Sequence, residues 1–135
     1  MYHHILVPIS FDQDRDAAGA LGVARALAAE DARITLLHVM ERIPAYAISY
    51  LPEDYVEESR RAIESELKTL ADDLPRGQAH VIEGHPGRSI LDWAEGNGVD
   101  CIVLASHRPG MQDLLLGSTT SHLVRHASCA VHVLR

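Results

Sequence analysis

The chain has 135 residues, 47% hydrophobic and 23% charged, with 12 Lys+Arg against 19 Asp+Glu and a formal charge of −7. This is the size and balance of one acidic domain spanning residues 1–135, long enough to bury about two-thirds of its unfolded surface without disulfides or a structural metal. The acidic balance disfavours nucleic acid and anionic lipid as main partners, and aromatics at 4% leave little for a base-stacking platform.

Apolar runs fall well short of the roughly 20 residues that span a bilayer, so no membrane insertion is expected. The opening Met1-Tyr2-His3-His4 lacks the basic region and apolar core of a signal peptide. A cytoplasmic location is therefore expected. Cys101 and Cys129 belong to no CxxC pair and read as buried, reduced thiols.

Five short apolar runs alternate with stretches of helical period, the pattern of an α/β domain with a mostly parallel sheet. The first strand is expected over His4-Ile5-Leu6-Val7-Pro8. An acidic stretch, Asp12 to Asp16, then leads into a helix marked by Leu21, Ala24, Leu27 and Ala28. A second strand, Ile34 to Val39, is followed by the irregular stretch Ile43 to Pro52, which reads as a lid, a partner-binding patch or a loop packed on the domain or a neighbouring subunit. The longest helix is predicted from about Asp54 to Leu74. Val56, Ile63, Leu67, Leu70 and Leu74 form its apolar stripe, with Arg60, Arg61 and Lys68 on a solvated face. After a strand over Ala79 to Ile82, a helix starts near Pro86, buries Ile90, Leu91 and Ala94, and stops at Gly96-Asn97-Gly98. The last two strands are expected at Cys101 to Ala105 and Ala130 to Leu134. Between them a helix from Ser118 to Ala127 is expected to bury Leu123, Val124 and Ala127.

In an open parallel sheet, ligands bind beyond the C-terminal ends of the strands, where strand order reverses. Those ends carry Pro8-Ile9-Ser10, His38-Val39-Met40 and Ala105-Ser106-His107-Arg108-Pro109-Gly110. Gly117-Ser118-Thr119-Thr120 then opens the last helix. A helix N-terminus offers unpaired N–H groups and partial positive charge, glycine permits close approach, and three hydroxyls can donate to phosphate oxygens. His107 and Arg108 could add further donors to the same anion. The alternative is that Ser118 caps the helix and Arg108 is a solvated cation, and local chemistry leaves both readings open. Neither a P-loop lysine nor a GxGxxG turn is present, which argues against an ordinary P-loop NTPase or dinucleotide-dependent dehydrogenase.

Nine histidines raise the question of a metal. His122 and His126 have i,i+4 spacing, but no carboxylate or cysteine completes the pair locally, so packing or capping is expected. His3 and His4 point to opposite strand faces and cannot chelate together. His38 and His132 read as packed or hydrogen-bonded strand residues.

Ile5-Leu6-Val7-Pro8, Leu36-Leu37-His38-Val39, Glu83-Gly84-His85-Pro86 and Leu115-Leu116-Gly117-Ser118 through Cys129 together resemble the universal stress protein family over the whole chain. Ser106-His107-Arg108-Pro109 is similar to a bacterial subgroup of it. The resemblance implies an adenine nucleotide alpha hydrolase-like fold, a five-stranded parallel sheet of order 3-2-1-4-5 with helices on both faces. ATP-binding members carry Gly-x2-Gly-x9-Gly-Ser/Thr around the phosphates. Here Gly117 and Ser118 match the last two positions, Ala105 and Arg108 replace the first two glycines, and eight residues separate Arg108 from Gly117. Gly110 is placed to supply the missing turn. Ser10 stands where such members usually have Asp near the ribose and adenine, a weaker hydrogen-bonding partner. Val39 is expected to offer backbone groups to the adenine edge, and Pro8 and Ile9 an apolar wall.

The nucleotide set on this reading is Pro8, Ile9, Ser10, Val39, Ala105, Ser106, His107, Arg108, Gly110, Gly117, Ser118, Thr119 and Thr120. The resulting expectation is a non-enzymatic stress protein that binds ATP or AMP, with Mg²⁺ accompanying ATP on its phosphates. Bound nucleotide is expected to order Ser106 to Leu116. Slow ATP hydrolysis or self-phosphorylation at His107 or Ser118 is one alternative, with no positioned general base apparent. An oligomeric interaction module that binds no nucleotide is another. The final strand is an expected sheet edge, and family resemblance implies a homodimer through it, with further assembly to a tetramer.

Overall fold

The computed structural model describes residues 1–11, 17–106 and 117–135. Its strands are β1 (Tyr2–Pro8), β2 (Ala28–Met40), β3 (Gly77–Glu83), β4 (Cys101–Ala105) and β5 (Ala130–Leu134). They form one sheet of order β3-β2-β1-β4-β5 in which every neighbouring pair is parallel. Ile5 sits centrally, opposite Ile34 on one side and Cys101 on the other. The helices are α1 (Ala17–Leu27), the single turn α2 (Ala45–Ile48), α3 (Tyr55–Asp72), α4 (Pro86–Gly96) and α5 (Ser118–His126).

Period-two alternation divides the strands' apolar residues between two cores. Ile5, Val7, Ile34, Leu36 and Val103 face Ala20 and Ala24 of α1 and Leu67 and Ala71 of α3. Leu6, Leu37, Ile102 and Leu104 face Ile90 and Ala94 of α4 and Leu123 of α5. Runs with no polar interruption are what a sheet covered on both faces requires. Each such aliphatic side chain contributes roughly 1.5–3 kcal/mol relative to exposure. Because β1 and β4 are neighbours and their flanking helices lie on opposite faces, a crevice opens at their C-terminal ends.

Two glycines set how closely helices approach. A Cβ at Gly77 would run into the Ala71 carbonyl at the end of α3. A Cβ on Gly87 would lie 2.8 Å from the His122 ring, so the absence of a side chain there brings α4 against α5.

Four local expectations need correction. The first helix ends at Leu27, and β2 begins at once at Ala28, with a register shift between Tyr2 and His4 as it pairs with β1. Backbone pairing overrides the alanine-rich helical pattern there. Val124 is 49% exposed rather than buried, because α5 covers the sheet near its β5 edge and only Leu123 reaches the core. Arg60 is not merely a solvated cation. It pairs with Glu64 and also donates 2.8 Å from Nη2 to the Val81 carbonyl, tying α3 to β3. The stretch Ile43 to Pro52 contains the α2 turn and exposes Tyr46, Ile48 and Tyr50.

β5 lies at the edge of the sheet, with Val131 and Val133 on the α4/α5 face and His132 exposed. Among the described residues no helix is long and apolar enough to cross a membrane. Cys101 and Cys129 are free thiols, and burial pushes the Cys101 thiol up to about 11, which keeps it protonated and unreactive.

Candidate functional site

A cleft of about 570 Å³ lies across the C-terminal ends of β1, β2 and β4, within the size range of small-molecule sites. Its floor is Pro8, Ile9 and Ser10 after β1, Leu37 to Glu41 at the end of β2, and Leu104 and Ala105 of β4. One wall comes from α1 and α3 through Ala17, Ala20, Tyr55, Ser59 and Ile63. The other comes from α4 and α5 through Pro86, Ile90, Thr119 and Thr120.

The floor is held by the main chain. Ile9 N–H donates to the Leu37 carbonyl at 2.9 Å, continuing the β1–β2 pairing past the end of β1. The Ile9 carbonyl in turn accepts a 2.8 Å hydrogen bond from Nδ1 of His38. Phe11 packs against the same imidazole, with ring centroids 5.2 Å apart. The segment Pro8-Ile9-Ser10 is thereby laid alongside Val39, and both backbone polar groups of Ile9 are used.

Of the residues expected from sequence, Pro8, Ile9, Ser10, Val39, Ala105, Thr119 and Thr120 line this cleft. Ser106 is buried just behind it, and its N–H donates 2.8 Å to the Leu134 carbonyl of β5. Gly117 is the N-cap of α5 in extended conformation, and its carbonyl accepts from Ser121 N–H at 2.9 Å. Ser118 is the first helical residue and is exposed, so it does not cap the helix. Gly117 has no side chain with which to cap α5, and among the described residues no side-chain cap is made there. His107, Arg108 and Gly110, together with the acidic stretch Asp12 to Asp16, lie outside the described residues.

Several lining residues were not anticipated. Glu41 follows β2 directly and is the one carboxylate among the described lining residues. Tyr55, Ser59 and Ile63 recur every fourth residue, so a single face of α3 carries all three to the cleft. That spacing was readable; His38 stands at one of the strand ends where a ligand is expected, but its side chain was read only as packed or hydrogen-bonded.

Other described histidines contact one another or the frame. His122 and His126 lie with ring centroids 4.7 Å apart, and His85 stands 6.4 Å from His122. Among the described residues no three His, Cys, Asp or Glu side chains are arranged to hold a metal ion. His4 is buried at the opposite end of β1. A carbonyl can only accept, so its Nδ1 donates to the Asn97 carbonyl at 2.9 Å, and its Nε2 accepts from the Thr35 hydroxyl at 2.8 Å. Asp100 accepts the N–H groups of His3 and His4 at 2.9 and 3.0 Å.

A doubly wound parallel sheet with its cleft at the strand-order reversal and a helix N-terminus at one wall is the architecture of the adenine nucleotide alpha hydrolase-like α/β fold. The sequence profile of the universal stress protein family matches residues 1–135, and the chain belongs to that family. It is 33% identical over 135 residues to the "Universal stress protein in QAH/OAS sulfhydrylase 3'region" of Thermus aquaticus, covering 94% of this chain and 96% of that one. Among solved structures it is similar to the universal stress protein UspA from Lactobacillus plantarum, with TM-score 0.71, 27% identity and coverage of 99% and 98%. A universal stress protein family protein from Arabidopsis thaliana, solved with AMP bound, shares the fold with TM-score 0.63, 19% identity and coverage of 98% and 90%.

Proposed function

We propose that this protein binds ATP or AMP in the cleft at the C-terminal end of the sheet and acts as a cytoplasmic, nucleotide-responsive stress protein rather than as an enzyme. The observation that carries the reading is the pairing of an α5 N-terminus that no described side chain caps, flanked by Thr119 and Thr120, with a floor of Pro8, Ile9, Ser10 and Val39. The first suits phosphate oxygens. The second suits a flat apolar ring with polar edges. The AMP-bound relative from Arabidopsis thaliana supports the same ligand class.

On this reading Gly117, Ser118, Thr119 and Thr120 hold phosphates together with Ala105, Ser106, His107, Arg108 and Gly110, and Ser10 takes the place of a carboxylate beside the ribose. Mg²⁺ would travel with ATP, and Glu41 is the one described lining residue with a carboxylate to offer it. The Ser106-His107-Arg108-Pro109 sequence supports membership of a bacterial subgroup, and two free thiols accord with a reducing compartment.

Release and identification of any ligand from freshly purified protein, followed by calorimetric titration of ATP and AMP with Mg²⁺, tests the reading. Binding that is weakened at least tenfold by Gly117→Val is the expected result. No binding at millimolar nucleotide would instead make the protein an interaction module, and binding unchanged in Gly117→Val would displace the phosphate site from α5.

The β5 edge carries half-buried Val131 and Val133 and supports a homodimer formed by edge pairing, with a tetramer as its further assembly. Proline at Val131 or Val133 is expected to give monomers by light scattering, and an unchanged mass would refute edge pairing.

A further inference from the structure

We infer that His38 is a specificity-determining residue of the cleft, whose Nε2 accepts a hydrogen bond from a donor on the bound nucleotide, either the exocyclic amine of the base or a ribose hydroxyl. The inference rests on the nucleotide reading and names the side chain that would discriminate among nucleotides. Three observations combine. First, Nδ1 is 2.8 Å from the Ile9 carbonyl, which only accepts, so in the neutral ring Nδ1 carries the hydrogen and Nε2 carries the lone pair. Second, no group among the described residues bonds Nε2, and no buried side-chain nitrogen or oxygen there lacks a partner. Nε2 is therefore accessible. Third, His38 lines the cleft.

The ring's orientation is fixed in advance. Ile9 is itself tied to Leu37, and Phe11 packs on the imidazole, so the acceptor is presented without further ordering. Around it Met40, Ile43, Tyr55 and Ile63 supply apolar surface, while Thr119 and Thr120 line the other wall. A ligand whose phosphates sit at α5 and whose nucleoside lies toward β2 brings its amine and hydroxyl donors to the His38 end. A ligand that covers Nε2 without a donor strips it of water and gives nothing back.

The test compares AMP with IMP, which has a carbonyl in place of the amine, and with 2'-deoxy-AMP, which lacks one hydroxyl. Calorimetry on the wild-type chain is expected to show one of the two analogues binding about five- to tenfold more weakly than AMP, the worth of one net hydrogen bond. The weaker analogue identifies the donor. His38→Phe keeps an aromatic ring beside Phe11 and is expected to lower AMP affinity until that gap closes. A purely structural role would weaken all three ligands together and leave the gap intact. A long-range ¹H–¹⁵N spectrum of the wild-type protein provides a readout independent of the variant's folding, in which Nε2 of His38 moves when AMP is added. Equal affinities for the three ligands, a gap that survives His38→Phe, or an unmoved Nε2 at saturation would each overturn the inference while leaving nucleotide binding intact. No binding of any of the three at millimolar concentration would overturn the nucleotide reading and this inference with it.

Discussion

The two ends of β1 carry the same kinds of groups in opposite conditions. At its start, His4 is 4% exposed, has both ring nitrogens engaged by Asn97 and Thr35, packs edge-on to Trp93, and sits beside an Asp100 carboxylate that accepts two strand N–H groups. Beside its finish, His38 of β2 has one nitrogen engaged by Ile9 and the other accessible, α5 begins with no side-chain cap among the described residues, and a cleft of about 570 Å³ separates the walls. Closed polar networks hold a fold in one arrangement. Polar groups left with spare capacity beside a cavity are the ones a ligand can use. The contrast gives one end of the sheet to stability and, on the proposed reading, the other to binding.

The largest expected effect comes from opening the closed end. His4→Ala removes a buried ring and strands the Asn97 carbonyl and the Thr35 hydroxyl, which should cost about 3 kcal/mol in urea unfolding. Nucleotide affinity of the folded fraction should stay within twofold of wild type, because the change lies at the far end of the strand. A cost below about 1 kcal/mol would mean that this network contributes little.

Acid should weaken the same end by a smaller amount. Burial holds His4 below its ordinary value of 6.5, so the unfolded chain takes up a proton that the folded chain refuses. Between 6.5 and the lower folded value the unfolded state binds more protons, and stability must fall as pH falls through that window. Asp100 adds a second loss at lower pH. Burial pushes its carboxyl up, but the N–H groups of His3, His4 and Asp100 itself outweigh that and hold it below 3.8, so its contribution disappears as it protonates. Urea midpoints measured from about pH 8 to about pH 2.5 should fall below about pH 6.5 and again below about pH 3.8, and His4→Ala should lack the first part of the decline. A flat profile in the wild type would contradict the closed-end account.

The smallest effect is expected at the open end. Thr119→Val should change stability by no more than about 0.5 kcal/mol, since its side chain borders the cleft, while lowering nucleotide affinity about fivefold. The reverse pattern, lost stability with unchanged affinity, would move this residue from binding to packing.

Much of this contrast was legible in the sequence, for reasons that also explain what was missed. Cys101 to Ala105 and Ala130 to Leu134 appear as strands with those bounds: the first is a continuous apolar run buried on both faces, the second an alternation around exposed His132 at the sheet edge. The first six residues of β2, Ala28 to Arg33, do not read as strand. Ala28 pairs with Tyr2 and Arg33 with His4 across a register shift, which no local pattern encodes. Val124 looked buried beside Leu123 because helical spacing describes a face and not where the sheet beneath it ends. Pro8, Ser10 and Thr119 were found by reasoning from strand ends and a helix start. His38 was set aside as a strand residue, since the carbonyl that fixes its tautomer belongs to Ile9, 29 positions away.

The division of labour between the two ends can be read in one experiment, an AMP titration followed in the ¹H–¹⁵N backbone spectrum of the wild-type protein. The account predicts saturable shifts concentrated at Ser10, His38, Val39, Ala105 and Thr119, with His4, Thr35, Asn97 and Asp100 unmoved. Shifts centred on His4 and Asp100, or a spectrum unchanged at millimolar AMP, would contradict it.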